Sequence, residues 1–232
     1  MPEDHPERQD DTEIPLAGGR ATPGVVRVGD TVRRPPAANA VLVRRLLRHL
    51  AEGGFDGVPA WLGTDAQGRE VFSFIAGTVP PDLGFHEDDA LRVAARLIRR
   101  FHDLGRDLSG AGAVICHNDL SPCNFVFRDG LPVAIIDFDA AAPGPRARDL
   151  GYAAWLWLDV GGDAAADEQG RRLALFCEAY GGLTPAEVVV AMIARQAELA
   201  GEGTGEGRSA LAAWAADCRA WTAANRDRLL RR

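Results

Sequence analysis

The chain has 232 residues, 47% of them apolar and 25% charged, and a formal net charge of −7. That size and composition allow a core in one domain or in two small lobes. The negative balance excludes nucleic acid as the main partner, because phosphate backbones call for a basic surface. No apolar run approaches the roughly 18 residues of a bilayer span, so no membrane partner is expected. The acidic start, MPEDHPERQDDTE, lacks the basic and apolar regions of a signal peptide, and the expected location is cytoplasmic. Cys116, Cys123, Cys177 and Cys218 are sparse and form no framework, as for reduced thiols. All 26 basic residues are arginine, which matters wherever a site requires lysine.

In chain order, residues 1–12 read as a disordered acidic tail. Residues 13–78 read as a small N-terminal lobe of short strands, EIPLA, GVVRVG and TVRRP, joined by the glycine-rich GGRATPG and by a turn at Gly29-Asp30. One helix follows, AANAVLVRRLLRHLAEGG, with its apolar stripe at Val43, Leu46, Leu47 and Leu50 and its exit at Gly53-Gly54. The strand-like EVFSFIAG closes this lobe. Residues 79–232 are mainly helical: EDDALRVAARLIRRFHDLG, ARDLGYAAWLWLDV, EQGRRLALFCEAYGG, TPAEVVVAMIARQAELA and a last helix from about Arg208 to Leu230, with GEGTGEG as a joint. The order of elements, a small sheet carrying one helix followed by a mainly helical part, is that of an α+β fold. Either a monomer or a homodimer fits this pattern.

Within the helical part lies a strand island, ICHNDLSPCNFVFRDGLPVAIIDFDAA, which sets acidic side chains among apolar ones. NFVF and LPVAIIDF form a hairpin about Asp129-Gly130. Closing it brings Asn124 within about two residues of register with Asp137. An amide oxygen and a carboxylate on a rigid hairpin, completed by phosphate and water, suit Mg²⁺. Asp119, in a loop that Pro122 keeps from becoming helical, can aim a carboxylate at a substrate hydroxyl beside that metal. Cys116 and Cys123 read as packing residues and His102 as a helix-end residue. Trp155, Trp157, Trp214 and Trp221 read as core, with an aromatic pocket for a cation as the alternative.

HNDLSPCN, His117 to Asn124, has the H-x-D-x-x-x-x-N pattern of the catalytic loop of the protein-kinase-like fold, and IIDFD, Ile135 to Asp139, resembles the metal-binding segment of small-molecule kinases. The following PGPRARDLGYAAW resembles the helix start after that segment in the aminoglycoside phosphotransferase and choline kinase family. The resemblance implies a protein-kinase-like fold, with a small N-terminal β-sheet lobe carrying one helix and a larger helical C-terminal lobe. It implies transfer of the ATP or GTP γ-phosphate to a hydroxyl of a small molecule. Asp119 would accept or orient the proton, Asn124 and Asp137 would hold Mg²⁺, and Asp139 would add a carboxylate at a second metal or on the substrate side. Ser121 stands where protein kinases carry a lysine, His117 would fix the loop, and Asp149 would cap the next helix or brace the loop. SFIAG, with Ser73, Phe74 and Ile75, would be the hinge that meets adenine.

Two positions depart from the family. The strand lysine that grips phosphate is replaced by Arg33 or Arg34, and alternation puts Arg34 toward the cleft. The helix glutamate that would pair with it is missing near Val43. A catalytically silent relative that binds nucleotide or a metabolite as a regulator or sequestering module is therefore the alternative to an enzyme. The acceptor remains open among antibiotics, choline, sugars and other metabolites. The acidic excess between Asp159 and Arg208 would draw a cation such as an aminocyclitol, and a solvated helix face accounts for it equally well.

Overall fold

The computed structural model describes residues 12–16, 23–108, 113–202 and 206–231. The expected acidic tail, most of GGRATPG and part of GEGTGEG lie outside the described residues. Short strands β1 (Ile14–Pro15), β2 (Val26–Val28) and β3 (Thr31–Arg34) are followed by helix α1 (Ala40–Glu52) and strands β4 (Trp61–Thr64) and β5 (Glu70–Ser73). They form an antiparallel sheet in the order β1-β2-β3-β5-β4. Gly29, at φ +55°, makes the β2–β3 turn, and Thr31 Oγ1 closes it by donating to the Val28 carbonyl at 2.7 Å. The stripe of α1 is buried as its spacing requires, with Leu46 and Leu50 fully inaccessible.

Helix α2 (Asp88–Gly105) runs through the centre of the molecule, burying Leu91, Ala94, Ala95, Ile98 and Phe101. Asp88 and Asp89 in its first turn complement the positive end of the helix dipole. Strand β6 (Val114–Cys116) leads into the catalytic-loop candidate, and β7 (Phe125–Arg128) and β8 (Leu131–Ile135) form the hairpin. Its turn has Asp129 at φ +51° and Gly130 at φ +77°, the paired positive φ values that a two-residue hairpin loop demands. Strand β9 (Ala142–Gly144) returns to pair with β6. Helices α3 (Arg146–Trp157), α4 (Ala166–Tyr180), α5 (Pro185–Gly201), α6 (Glu206–Ala224) and α7 (Arg226–Leu229) complete the chain. A capping box starts α5, where the Thr184 hydroxyl accepts from Glu187 N–H and the Glu187 carboxylate accepts from Thr184 N–H. Among the described residues no single helix is long and apolar enough to cross a membrane.

The first sheet is tied to the hairpin by backbone bonds. Thr78 and Phe127 exchange N–H donors at 3.0 and 2.7 Å, and Ile135 N–H donates to the Gly57 carbonyl at 2.8 Å. These bonds join the segments flanking β4 and β5 to the hairpin, and Arg34, at the end of β3, meets Asp137 two residues after β8 at 3.2 Å.

Three details differ from the sequence expectation. Strand β4 was not anticipated, because Gly63 at φ +135° interrupts the alternation and shifts the register beside Trp61. Strand β9 consists of Ala-Pro-Gly, with no β-forming residue, and exists through its pairing with β6. The single last helix breaks at Asn225, whose side-chain amide donates to the Trp221 carbonyl at 3.0 Å.

The α3–α5 crossing depends on Gly151. A Cβ there would stand 2.7 Å from Met192 N and 2.9 Å from the Ala191 carbonyl carbon, both backbone atoms that have no rotamer with which to yield. Gly151→Ala is expected to destabilise the protein by about 1–3 kcal/mol, the usual cost of overpacking, read as a lower urea midpoint with unchanged slope.

Candidate active site

The loop from His117 to Asn124 is built around a buried carboxylate. Asp149, in the first turn of α3, is fully inaccessible. Its Oδ2 accepts His117 N–H at 2.7 Å and faces His102 Nε2 at 3.0 Å, while Oδ1 accepts Asn118 N–H at 2.8 Å. His102 Nδ1 lies 2.8 Å from the Tyr180 hydroxyl, so His102, in the last turn of α2 as the sequence suggests, is also a buried link. Burial, the largest influence on Asp149, pushes its carboxyl up. The bond to His102, attraction to His102 and His117, and the His117 N–H together outweigh it and hold the carboxyl below its ordinary value.

With Asn118 pinned at φ +63°, Asp119 turns toward the hairpin. Asn124 Nδ2 donates to both the Asp119 carbonyl and Asp119 Oδ2, each at 2.8 Å. The Tyr152 hydroxyl donates to Asp119 Oδ1 at 3.0 Å. Burial, then the adjacent Asp119 charge and the bond to it, push the Tyr152 phenol far above its ordinary value, so it remains a donor. Asp119 thus has a donor on each carboxylate oxygen. Trp157 braces the same loop by donating from Nε1 to the Leu120 carbonyl at 3.1 Å, and both Trp155 and Trp157 are core residues. His117 Nε2 lies 2.9 Å from the Ile136 carbonyl, and Asp119 N–H donates to His117 Nδ1 at 3.3 Å, which assigns the ring proton to Nε2.

Ile136 N–H donates to the Asn124 carbonyl at 2.9 Å, placing Asn124 one residue from Asp137 across the hairpin. Asp137 has φ +64°, a left-handed conformation that an aspartate tolerates and that turns its carboxylate out of the strand. The Asn124 amide nitrogen is engaged by Asp119, which leaves the amide oxygen as its ligand atom. Among the described residues no group of three or more His, Cys, Asp and Glu side chains is placed to hold a metal. One amide oxygen and the carboxylates of Asp137 and Asp139 nevertheless suit Mg²⁺, which takes few protein oxygens and fills its shell with phosphate and water. A cation already stands there. Arg34 Nη1 lies 3.2 Å from Asp137 Oδ1, and Arg34 Nη2 bonds Asp139 Oδ2.

The remaining residues anticipated from the sequence are placed as follows. Ser121 is buried before a single 3₁₀ turn at Pro122–Asn124 and does not cap it with its side chain. Ser73 N–H donates to the Ala60 carbonyl and Ser73 Oγ accepts Ala60 N–H, both at 2.9 Å, while Phe74 N–H donates to the Asp30 carbonyl at 2.8 Å. Arg128 holds the Ala76 carbonyl at 2.8 Å. Ile75 lies between these engaged groups. Of the acidic residues that were to draw a cation, Asp167 pairs with Arg228, Glu168 with Arg171, Glu198 with Arg148 and Arg195, and Glu187 serves the capping box. Local pairing accounts for these four.

Residues 87–186 match the phosphotransferase enzyme family designated APH. A trifolitoxin immunity protein of Rhizobium leguminosarum bv. trifolii is 36% identical over 177 residues, covering 68% of this chain and 67% of the relative. This chain belongs to the APH phosphotransferase enzyme family. The same fold is seen in an aminoglycoside phosphotransferase from Alicyclobacillus acidocaldarius, with a TM-score of 0.62, 14% identity and coverage of 96% of this chain and 93% of the other. A macrolide 2'-phosphotransferase from Brachybacterium faecium has a TM-score of 0.51 at 19% identity, covering 87% and 86%.

In this phosphotransferase the sequence reading missed Tyr152. A signal existed: Asp149 and Tyr152 are three apart on α3 and share a face, so a helix that braces the loop through one presents the other to Asp119. It also missed the pair formed by Arg44 of α1 and the buried Glu70 of β5, at 2.6 Å. The helix therefore presents an arginine close to Val43, where a glutamate was sought.

A carboxyl held below its unfolded value near 3.9 stabilises the fold above that value and loses the contribution as pH falls through the folded value. Asp149→Asn is accordingly expected to be less stable near pH 7 and to lose less stability than wild type as pH falls below about 4, measured by urea titration at each pH. Parallel losses in the two proteins would remove Asp149 from the acid transition.

Proposed function

We propose that the protein is a Mg²⁺-dependent kinase that moves the γ-phosphate of ATP or GTP to a hydroxyl of a small molecule. The observation that carries the proposal is the Asp119 carboxylate, held by a donor on each oxygen beside Asn124 and Asp137. In the reaction, the acceptor oxygen forms a bond to the γ-phosphorus, the bond from that phosphorus to the β,γ-bridging oxygen breaks, and the nucleoside diphosphate leaves. Asp119 orients the acceptor hydroxyl and takes its proton. Asn124 and Asp137, with Asp139 beside them, would hold Mg²⁺, which supplies charge neutralisation at the phosphates when bound. Arg34 is the phosphate-gripping residue in place of lysine, Ser121 offers a hydroxyl to the γ-phosphate, and Ser73 to Ile75 line the adenine side.

The division into a nucleotide lobe, 13–78, and a catalytic and substrate lobe, 79–232, belongs to this reading, as does a cytoplasmic location where nucleoside triphosphates are available. The acceptor approaches from the α3–α5 side. There a groove of about 290 Å³ is lined by Ala147, Ala191 and Ala194 and by Arg148, Arg195 and Glu198. Arg148 reaches Asn118 at 3.2 Å, and Arg195 lies over the Tyr152 ring at 5.3 Å, so this wall adjoins the base. Two arginines against one glutamate do not by themselves attract a polycation. The immunity relative supports a toxic compound as the acceptor class, with an aminoglycoside-like antibiotic as one member.

The second reading, a silent module that sequesters nucleotide or metabolite, draws support from the arginine at the lysine position. The two readings separate in a nucleotide-consumption screen with Mg²⁺ against aminoglycosides, macrolides, choline, sugars and nucleosides. Asp119→Asn is expected to lower turnover by roughly 10² to 10⁴-fold with nucleotide affinity unchanged. Tyr152→Phe should lower kcat by about tenfold, with little change in the nucleotide KM, since it removes one of two donors that set the carboxylate. No phosphate transfer by wild type to any acceptor, with binding untouched by Asp119→Asn, would favour the silent module.

A further inference from the structure

Arg34 makes a contact that the assigned chemistry does not need. Its side chain is 13% exposed and lies behind two carboxylates that open to the cleft, Asp137 at 38% and Asp139 at 32%. One guanidinium nitrogen goes to each carboxylate. Arg34 ends β3 directly opposite Glu70 of β5, and the Glu70 carboxylate accepts Arg44 Nε from α1 at 2.6 Å. Arg44 of α1 thus sets a positive charge on the strand pair at the position facing Arg34.

We propose that Arg34 is a built-in countercation: in the nucleotide-free protein it clamps Asp137 and Asp139, and nucleotide phosphate draws it away, so that divalent metal and nucleotide bind together rather than separately. This rests on the phosphotransferase reading of the site. A guanidinium does not lose its proton, so the clamp is not relieved by a change of pH. A divalent ion placed on Asp137 meets a like charge 3.2 Å from the same oxygen. Phosphate oxygens accept a guanidinium in bidentate fashion at least as well as a carboxylate does, and in doing so they free Asp137 for the metal. Lysine, a single point charge, has no planar fork with which to hold both carboxylates. The coupling is reciprocal: nucleotide must tighten metal by the factor by which metal tightens nucleotide.

The test measures Mn²⁺ binding to the full chain by electron paramagnetic resonance, with and without ADP, corrected for Mn²⁺ held by free ADP. Wild type is expected to bind Mn²⁺ at least about tenfold tighter with ADP, within the usual range of such couplings. Arg34→Met is expected to bind Mn²⁺ alone at least about tenfold tighter than wild type does, with the ADP dependence reduced. Equal Mn²⁺ affinity of the two proteins without ADP overturns the proposal. Should Arg34→Met fail to fold, Arg34→Lys is expected to shift Mn²⁺ affinity in the same direction by a smaller factor, and no shift overturns it. Mn²⁺ that binds wild type equally with and without ADP overturns the exchange alone. Mn²⁺ that does not bind wild type even with ADP overturns the phosphotransferase reading as well.

Discussion

Asp149 puts a buried carboxylate where the backbone N–H groups of His117 and Asn118 point, in a loop that belongs to neither helix nor strand. Two donors of that kind, left unsatisfied in the interior, would each cost about 1–3 kcal/mol. Satisfying both from one side chain fixes the direction of the chain at the residue before Asp119. The carboxylate is itself held by His102, and His102 by Tyr180, so the constraint passes from α3 to α2 and α4 through side chains without solvent access. A charge buried this deeply is tolerable because two backbone N–H groups donate to it and His102 lies within hydrogen-bond reach.

From that fixed point the candidate site divides into a rigid half and an exchangeable half. Helix α3 supplies the rigid half, bracing the loop through Asp149, aiming Asp119 through Tyr152, and standing close against α5 because Gly151 has no side chain. The groove beside Asn118 belongs to this half, since Arg148 and Arg195 reach the loop and Tyr152 while sharing Glu198. The exchangeable half lies across the cleft, where Arg34 bonds to partly exposed carboxylates at the end of the hairpin. Asp137 and Asp139 are open enough to exchange Arg34 for another cation as proposed, whereas the Asp149 network is closed to solvent.

Much of this was legible along the chain. The α+β order, the stripes of α1 and α2, the Asp129-Gly130 hairpin and the proximity of Asn124 to Asp137 follow from period, turn chemistry and register, which are local properties. Strand β9 and the break at Asn225 were not legible, because Ala-Pro-Gly becomes a strand only beside β6 and a lone asparagine in a helical pattern does not announce where its amide will bond.

The sequence by itself determined which residues the catalytic proposal names and in what order, an aspartate, an asparagine and a second aspartate at fixed spacing on a loop and a hairpin. Only the tertiary structure decided how they are held. Tyr152 meets Asp119 across 33 positions, His102 meets Asp149 across 47, and Arg34 meets Asp137 across 103. Contacts of that range depend on how α2, α3 and the first sheet pack, and no local periodicity encodes which polar side chain a packed helix will present to a loop.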